Sequence, residues 1–202
     1  MKKLLLASGN PGKLLEIQAL LADLLFELVI PTQLGLDLDV EESGNTYQEN
    51  ASIKALVFSK TSGLTTLADD SGLEVAVLDG LPGLHSARFS PLPNANDSDR
   101  RDYLLDQLKT HPRPWLAKFH CTVAISTPDG RVYFTTGECA GEIIPEERGQ
   151  RGFGYDPIFL IQELGKTMAE LSMNEKNRLS HRARAIMAAR PILARILQDI
   201  PK

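Results

Sequence analysis

The chain has 202 residues, 43% hydrophobic and 24% charged, with a formal net charge of −4. That composition suits one substantial globular domain or two small lobes, and its acidic balance excludes a broad basic surface for nucleic acid. The longest apolar runs fall far short of the roughly 20 residues a membrane span needs. Cys121 and Cys139 form no CxxC pair, so they read as two buried thiols in a reducing compartment rather than a disulfide or metal site.

Lys2 and Lys3 precede a short apolar stretch that lacks a signal peptide's long apolar region and cleavage site. Residues 3–8 therefore read as a buried strand. They run into Ser8, Gly9, Asn10, Pro11, Gly12 and Lys13, and a leucine-rich helix over 11–25 follows, with Leu14, Ile17, Leu21, Leu24 and Leu25 on one face. Asn10 can cap this helix and Pro11 suits its first position. A strand feeding a helix N-terminus offers backbone N–H groups and a positive dipole end to a phosphate, and Lys13 adds a point charge. The segment is not a Walker A loop, because Leu14 follows Lys13 and no glycine lies five residues before Gly12.

Residues 26–30 read as a second strand, stopped by Pro31, and an acidic loop leads through Glu41 and Glu42. Thr46 and Glu49 form a capping box that opens a helix to about Thr61. A short strand over 65–69 is expected to end at Asp69-Asp70-Ser71-Gly72, with a further strand over 73–78 and a loop over 79–88. A helix over 98–109 begins after Asn96, and residues 116–127 and 131–141 form a hairpin around Pro128-Asp129-Gly130. A glycine-rich loop runs from 143 to 156, and a strand follows over 157–161. A second capping box, Ser172 with Glu175, opens a helical C-terminal third, whose last helix runs from about Ser180 with a kink expected at Pro191. The order of elements argues an α/β fold with a mixed central sheet flanked by helices.

Four clusters carry candidate chemistry. Ser8 to Lys13 suits phosphate. Asp69 and Asp70 either cap a turn with Gly72 or, with Glu42, close on a hard cation such as Mg²⁺, which is held by one or two carboxylates plus substrate phosphate oxygens. Lys54 lies one turn after Asn50, on the same helix face. In Gly152-Phe153-Gly154-Tyr155-Asp156 an aromatic ring either stacks on a planar base or packs under the loop. Lys176, His181 and Arg182 supply donors near helix starts.

Together these motifs resemble the inosine triphosphate pyrophosphatase family over essentially the whole length. The resemblance rests on Ser8-Gly9-Asn10 with Lys13, Glu49-Asn50-Ala51 with Lys54, Ala68-Asp69-Asp70-Ser71-Gly72-Leu73, and Pro82-Gly83 with Ser86-Ala87-Arg88. It continues through Gly152-Phe153-Gly154-Tyr155-Asp156-Pro157-Ile158-Phe159, Ala169-Glu170-Leu171, Glu175-Lys176-Asn177 and Ser180-His181-Arg182. The resemblance implies an elongated two-lobed fold in which residues 1–202 form one domain with the active site in the cleft between lobes. It implies hydrolysis of non-standard purine nucleotides (dITP, ITP, XTP, dXTP) to monophosphate and pyrophosphate, in a cytoplasmic homodimer that uses Mg²⁺ and binds neither nucleic acid nor membrane.

The roles it implies are equally specific. Asp70 is the catalytic residue, and Glu42 and Asp70 hold the metal, with Glu41 and Asp69 as further candidates. Ser8 to Lys13 grip the triphosphate, and Lys54, Ser71 and Lys176 contact substrate. Phe153, Gly154, Tyr155, Asp156, His181 and Arg182 form the base pocket. Two other readings stand beside this one. One is a pyrophosphatase of the septum-formation (Maf-type) kind acting on modified pyrimidines, and the other is a nucleotide sensor without turnover.

Overall fold

The computed structural model describes residues 2–199. Met1 and residues 200–202, which the single-domain expectation includes, lie outside the described residues. The elements that carry the sheet are β1 (Lys3–Leu6), β2 (Glu27–Val29), β3 (Thr65–Val75), β4 (Trp115–Ser126), β5 (Val132–Ile143), β6 (Phe159–Ile161) and β7 (Lys166–Thr167). The helices are α1 (Pro11–Leu21), α2 (Tyr47–Ser62), α3 (Asp97–Leu108), α4 (Met173–Leu179) and α5 (His181–Asp199). The seven strands form one sheet in the order β2-β1-β3-β4-β5-β6-β7. β1 runs parallel to both β2 and β3, while β6 is antiparallel to β5 and β7. The expected mixed α/β sheet is thus present. Among the described residues no helix is long and apolar enough to cross a membrane.

The chain groups into two compact units, each assembled from separated segments. The first comprises the chain up to Asp70, Cys121–Gly137 and the chain from His181 on; the second comprises Ser71–His120 and Glu138–Ser180.

In the first unit the period-two alternation of the strands builds two cores. Leu4, Leu6 and Leu67 pack with Cys121, Val123 and Ile125 against Ile17 and Leu21 of α1 and Ile186, Ala189 and Leu193 of α5. Leu5, Ala7, Ala68 and Ala124 pack the other way, against Ala51, Ala55 and Phe58 of α2. The first unit is therefore three-layered, with α1 and α5 on one side of its strands and α2 on the other. In the second unit Leu73 and Val75, Trp115, Ala117 and Phe119, and Phe159 form one core with Leu104 and Leu108 of α3.

Several expectations are corrected. α1 ends at Leu21, not at residue 25, so Leu25 is 93% exposed. More consequentially, Asp69-Asp70-Ser71-Gly72 is not a turn, because β3 runs unbroken from Thr65 to Val75 through all four residues. Local chemistry favours a turn there, but both carboxylates are compensated by distant side chains. Nothing then obliges the strand to stop. The strand expected over 73–78 gives way at Ala76–Leu78 to a 3-10 turn, and a second such turn, Gly83–Arg88, occupies the expected loop. α5 runs through Pro191 as one helix.

Candidate active site

At the first strand-to-helix turn Asn10 caps α1 as expected, with its Oδ1 accepting from the Gly12 and Lys13 N–H groups at 2.9 and 3.2 Å. The cap consumes two of the amides that a phosphate was expected to find free. What the helix end still offers an anion is its dipole field and the Lys13 side chain. Ser8 Oγ accepts from the Asn10 N–H at 3.2 Å, which tightens the turn.

Strand alternation sends the two aspartates of β3 to opposite sides. Asp69 follows Leu67 toward α1 and α5. Its Oδ2 lies 2.9 Å from Lys13 Nζ and 3.3 Å from Arg182 Nε. The Arg182 guanidinium, 2% exposed, also donates to Glu16 Oε2 at 2.5 Å. Lys13, partly exposed, and the buried Arg182, Asp69 and Glu16 thus form a charge-balanced quartet. Burial opposes the charge on Asp69, but Lys13, Arg182 and Lys54 outweigh it and hold the carboxyl well below the usual carboxylate range. His181 is buried beside Arg182 in the first turn of α5. A side chain at Gly137 would collide with the His181 carbonyl, so the glycine lets β5 approach that turn.

Asp70 follows Ala68 toward α2. Its Oδ2 accepts from Asn50 Nδ2 at 3.1 Å, and Asn50 Oδ1 in turn accepts from the Gly44 N–H at 2.8 Å. Lys54 donates to the Asp69 carbonyl at 2.6 Å and pairs with Glu42 Oε1 at 2.8 Å. Burial raises the Asp70 pKa and the Glu42 carboxylate adds to the rise, against the opposing pull of Lys54, Lys13 and Asn50.

The acidic loop explains which glutamate joins this group. Leu36, Leu38 and Val40 pack on the core under α2 while Asp37 and Asp39 are exposed. Glu42 continues the inward phase, and Glu41 is exposed with the outward one.

Among the described residues no three His, Cys, Asp or Glu side chains gather into a metal cage. Glu42 and Asp70 nevertheless suit a hard cation. Their donors are carboxylate oxygens, and their mutual repulsion at a buried position is what a cation relieves. Asp69 Oδ1 is buried without a hydrogen-bond partner among the described residues, and Oδ2 is committed to Lys13 and Arg182.

In the second unit the glycine-rich loop is internally braced. Gly152 and Gly154 have φ of +76° and +61°, conformations that side chains rarely adopt. A Cβ at Gly152 would collide with the Asp156 carboxylate. Asp156 Oδ2 accepts from the Phe153 N–H at 3.0 Å and from Lys176 Nζ at 2.6 Å. The Lys176 ammonium sits 5.2 Å from the centroid of the Phe153 ring. Tyr155 is buried and donates its hydroxyl to the Ser86 carbonyl at 2.9 Å. Tyr155 is therefore a packing residue, and Phe153 is the half-buried ring of the loop. Ser71, partly buried on β3, also belongs to this unit. Sequence reasoning missed Glu16 and Asn50 as site residues. Glu16 was signalled by a lone carboxylate on the apolar stripe of α1, next to Ile17.

The Ham1 family model matches residues 4–192. A dITP/XTP pyrophosphatase of Geobacter sulfurreducens is 46% identical over 187 residues, spanning 92% of this chain and 94% of that protein. A dITP/XTP pyrophosphatase of Listeria monocytogenes is 38% identical over 203 residues, spanning the whole of both chains. Among solved structures, a HAM1 protein from Coxiella burnetii superposes with a TM-score of 0.87 at 40% identity, covering 96% of this chain and all of that one.

Proposed function

The chain belongs to the Ham1 family, and from that premise we propose that it hydrolyses dITP, XTP and related deaminated purine nucleoside triphosphates to the monophosphate and pyrophosphate. The observation that carries the reading is the convergence of Lys13, Lys54, Glu42 and Asp70 in one unit, two cations beside two carboxylates at the end of a helix.

Glu42 and Asp70 would hold Mg²⁺, with Glu41 outside the set. When bound, the ion neutralises polyphosphate charge and makes water more acidic. Lys13 and Lys54 stabilise the phosphates; each is already held by a carboxylate in a fixed place, so little reorganisation accompanies binding. Ser8 to Gly12 present the turn and the dipole of α1 to the same end of the substrate. Water attacks the α-phosphorus, the bond from that phosphorus to the bridging oxygen breaks, and pyrophosphate leaves. The Asp70 carboxylate takes the water's proton.

The second unit's loop is assigned to the base, with the half-buried Phe153 ring for stacking, and Gly154, Asp156, Lys176 and Ser71 as its supports or contacts. Hypoxanthine and xanthine carry an acceptor at position 6 where adenine carries a donor. Donors at that position are left unpaired by adenine, which gives strong discrimination. His181, Arg182 and backbone N–H groups are assigned this role, with Arg182 Nε and Nη1 anchored on Asp69 and Glu16. A Mg²⁺-dependent homodimer of the cytoplasm completes the reading, on the strength of the family resemblance.

Pyrophosphate release from dITP, XTP, dATP and dGTP with Mg²⁺ tests it. Fast turnover of dITP and XTP over dATP is expected. Equal rates on all four defeat the selectivity, and activity confined to modified pyrimidines defeats the purine assignment.

A further inference from the structure

We propose that Asp97 and Arg101 of α3 are positioning residues that fix the orientation of Phe153 for the base, an inference that rests on the base-pocket reading above. The loop that carries Phe153 has glycine on both sides, and such a segment has no side-chain anchor of its own at residues 152 and 154. Asp156 holds the Phe153 N–H, and Ser86 holds Tyr155. The hold on Gly154 comes from α3. Its N–H donates to Asp97 Oδ2 at 2.7 Å, and its carbonyl accepts from Arg101 Nη1 at 2.9 Å. The first of these groups belongs to the peptide joining Phe153 to Gly154 and the second to the peptide joining Gly154 to Tyr155. Both peptide planes beyond the aromatic residue are thereby set.

The two clamping side chains are themselves fixed. Asp97 opens α3 immediately after its cap, where Asn96 and Asp99 form a reciprocal capping box. Its second carboxylate oxygen is held by Arg100. Arg101 lies one turn further along, so it shares a helix face with Asp97. The rest of its guanidinium grips Glu147 through Nε at 2.6 Å and Nη2 at 3.1 Å. A planar fork spent on two oxygens of one carboxylate and one carbonyl has little freedom left. With the backbone set, the Phe153 ring is held with the Lys176 ammonium 5.2 Å from its centroid.

The test uses Asp97→Ala, Asp97→Asn, Arg101→Met and, as a reference, Phe153→Leu. Binding of inosine monophosphate reports the base end, and inhibition by inorganic pyrophosphate reports the phosphate end. Asp97→Ala and Arg101→Met are expected to weaken inosine monophosphate about tenfold. They should raise the KM for dITP with kcat nearly unchanged and leave pyrophosphate inhibition as in wild type. Asp97→Asn keeps an acceptor for the Gly154 N–H and should stay close to wild type. Wild-type binding in both clamp variants, while Phe153→Leu binds weakly, overturns the clamp and leaves the base pocket standing. Unchanged binding in Phe153→Leu overturns the base-pocket reading and the clamp with it. Equal losses at both ends would show general damage, and that also overturns a positioning role.

Discussion

Asp69 and Asp70 are neighbours in the chain yet answer to different helices: Asp69 pairs with Lys13 of α1 and Arg182 of α5, and Asp70 bonds to Asn50 of α2. One strand residue therefore serves a charge-balanced interior, and the next serves the candidate reaction centre. Their substitutions should differ in what they damage first.

Asp70→Asn should lower kcat for dITP by about a thousandfold, within the range for loss of a general base. The fold should survive or gain stability in metal-free protein, because Asp70 is buried beside the Glu42 carboxylate and bears an unfavourable charge. Steady-state kinetics and a thermal melt on the same preparation check both halves. Retained turnover would remove Asp70 from the chemistry.

Asp69→Ala should cost stability first, and it also releases Lys13 from the carboxylate that holds it. It strands the buried Arg182 and the partly buried Lys13 opposite a single carboxylate, Glu16. Breaking a buried ion pair from one side costs about 3–5 kcal/mol. Urea unfolding measures it, and a change below about 1 kcal/mol would mean that the quartet relaxes easily. Glu16→Gln should move stability in the same direction, since Arg182 loses one of its two counter-ions.

Asn50 uses both ends of its amide, with Nδ2 on Asp70 and Oδ1 on the Gly44 N–H two residues beyond Glu42. It so ties the Glu42 loop to the Asp70 carboxylate. Asn50→Ala should reduce kcat/KM by about ten- to a hundredfold, the range for losing a partner that orients a metal-site ligand. Asn50→Asp should be at least as damaging, because it sets a second carboxylate against Asp70. Full activity in both would show that the loop and the aspartate keep their places unaided.

Much of this was legible in the sequence because it is local. The Asn10 cap, the Ser172–Glu175 box and the hairpin turn depend on residues within four positions of one another, and all appear where expected, whereas Thr46 caps α2 without the expected box, because the Glu49 carboxylate accepts from the Asn45 N–H instead. The choice of Glu42 over Glu41 was also available, since Leu36, Leu38 and Val40 fix the phase. The unbroken course of β3 was not. Asp, Ser and Gly favour a turn on local grounds, and the compensation for Asp69 comes from Lys13 and Arg182, at separations of 56 and 113 residues in the numbering. The same holds for Asp97 and Arg101, which read as ordinary helix residues until the fold sets them against Gly154. Lys176 belongs to this class as well. The sequence marks it as a donor near a helix start, and its bond to Asp156 and its place by the Phe153 ring arise only in the fold.

Gly152→Ala should disturb the base end through backbone alone. The residue has φ of +76°, and its new Cβ would meet the Asp156 carboxylate, which must then shift from Lys176 and the Phe153 N–H. A loss of about 2–3 kcal/mol in stability and a higher KM for dITP are expected. Gly165→Ala is the control. Its φ is +60° but its Cβ would enter open space, so about 1 kcal/mol of strain should appear with no change in KM. Equal effects of the two on KM would disprove the link between Asp156 and the base.

Glu175 supplies a pH dependence free of the reaction centre. Its Oε2 accepts from the Ser172 N–H at 2.7 Å and the Ser172 hydroxyl at 2.8 Å, and Lys166 lies 3.0 Å from Oε1. The Ser172 backbone bond first, then the Ser172 hydroxyl and Lys166, lower its pKa to about 2. A carboxyl whose folded pKa is depressed contributes stability above its unfolded pKa, near 4.3, and loses that contribution as pH falls through the folded value. Glu175→Gln keeps the capping geometry and removes the charge. Wild type should therefore unfold at higher urea than the variant at pH 7, and the gap should close between about pH 4 and pH 2. A gap that persists to pH 2, or a carboxyl NMR titration of Glu175 centred near the unfolded value, would show that the cap does not favour the ionised form.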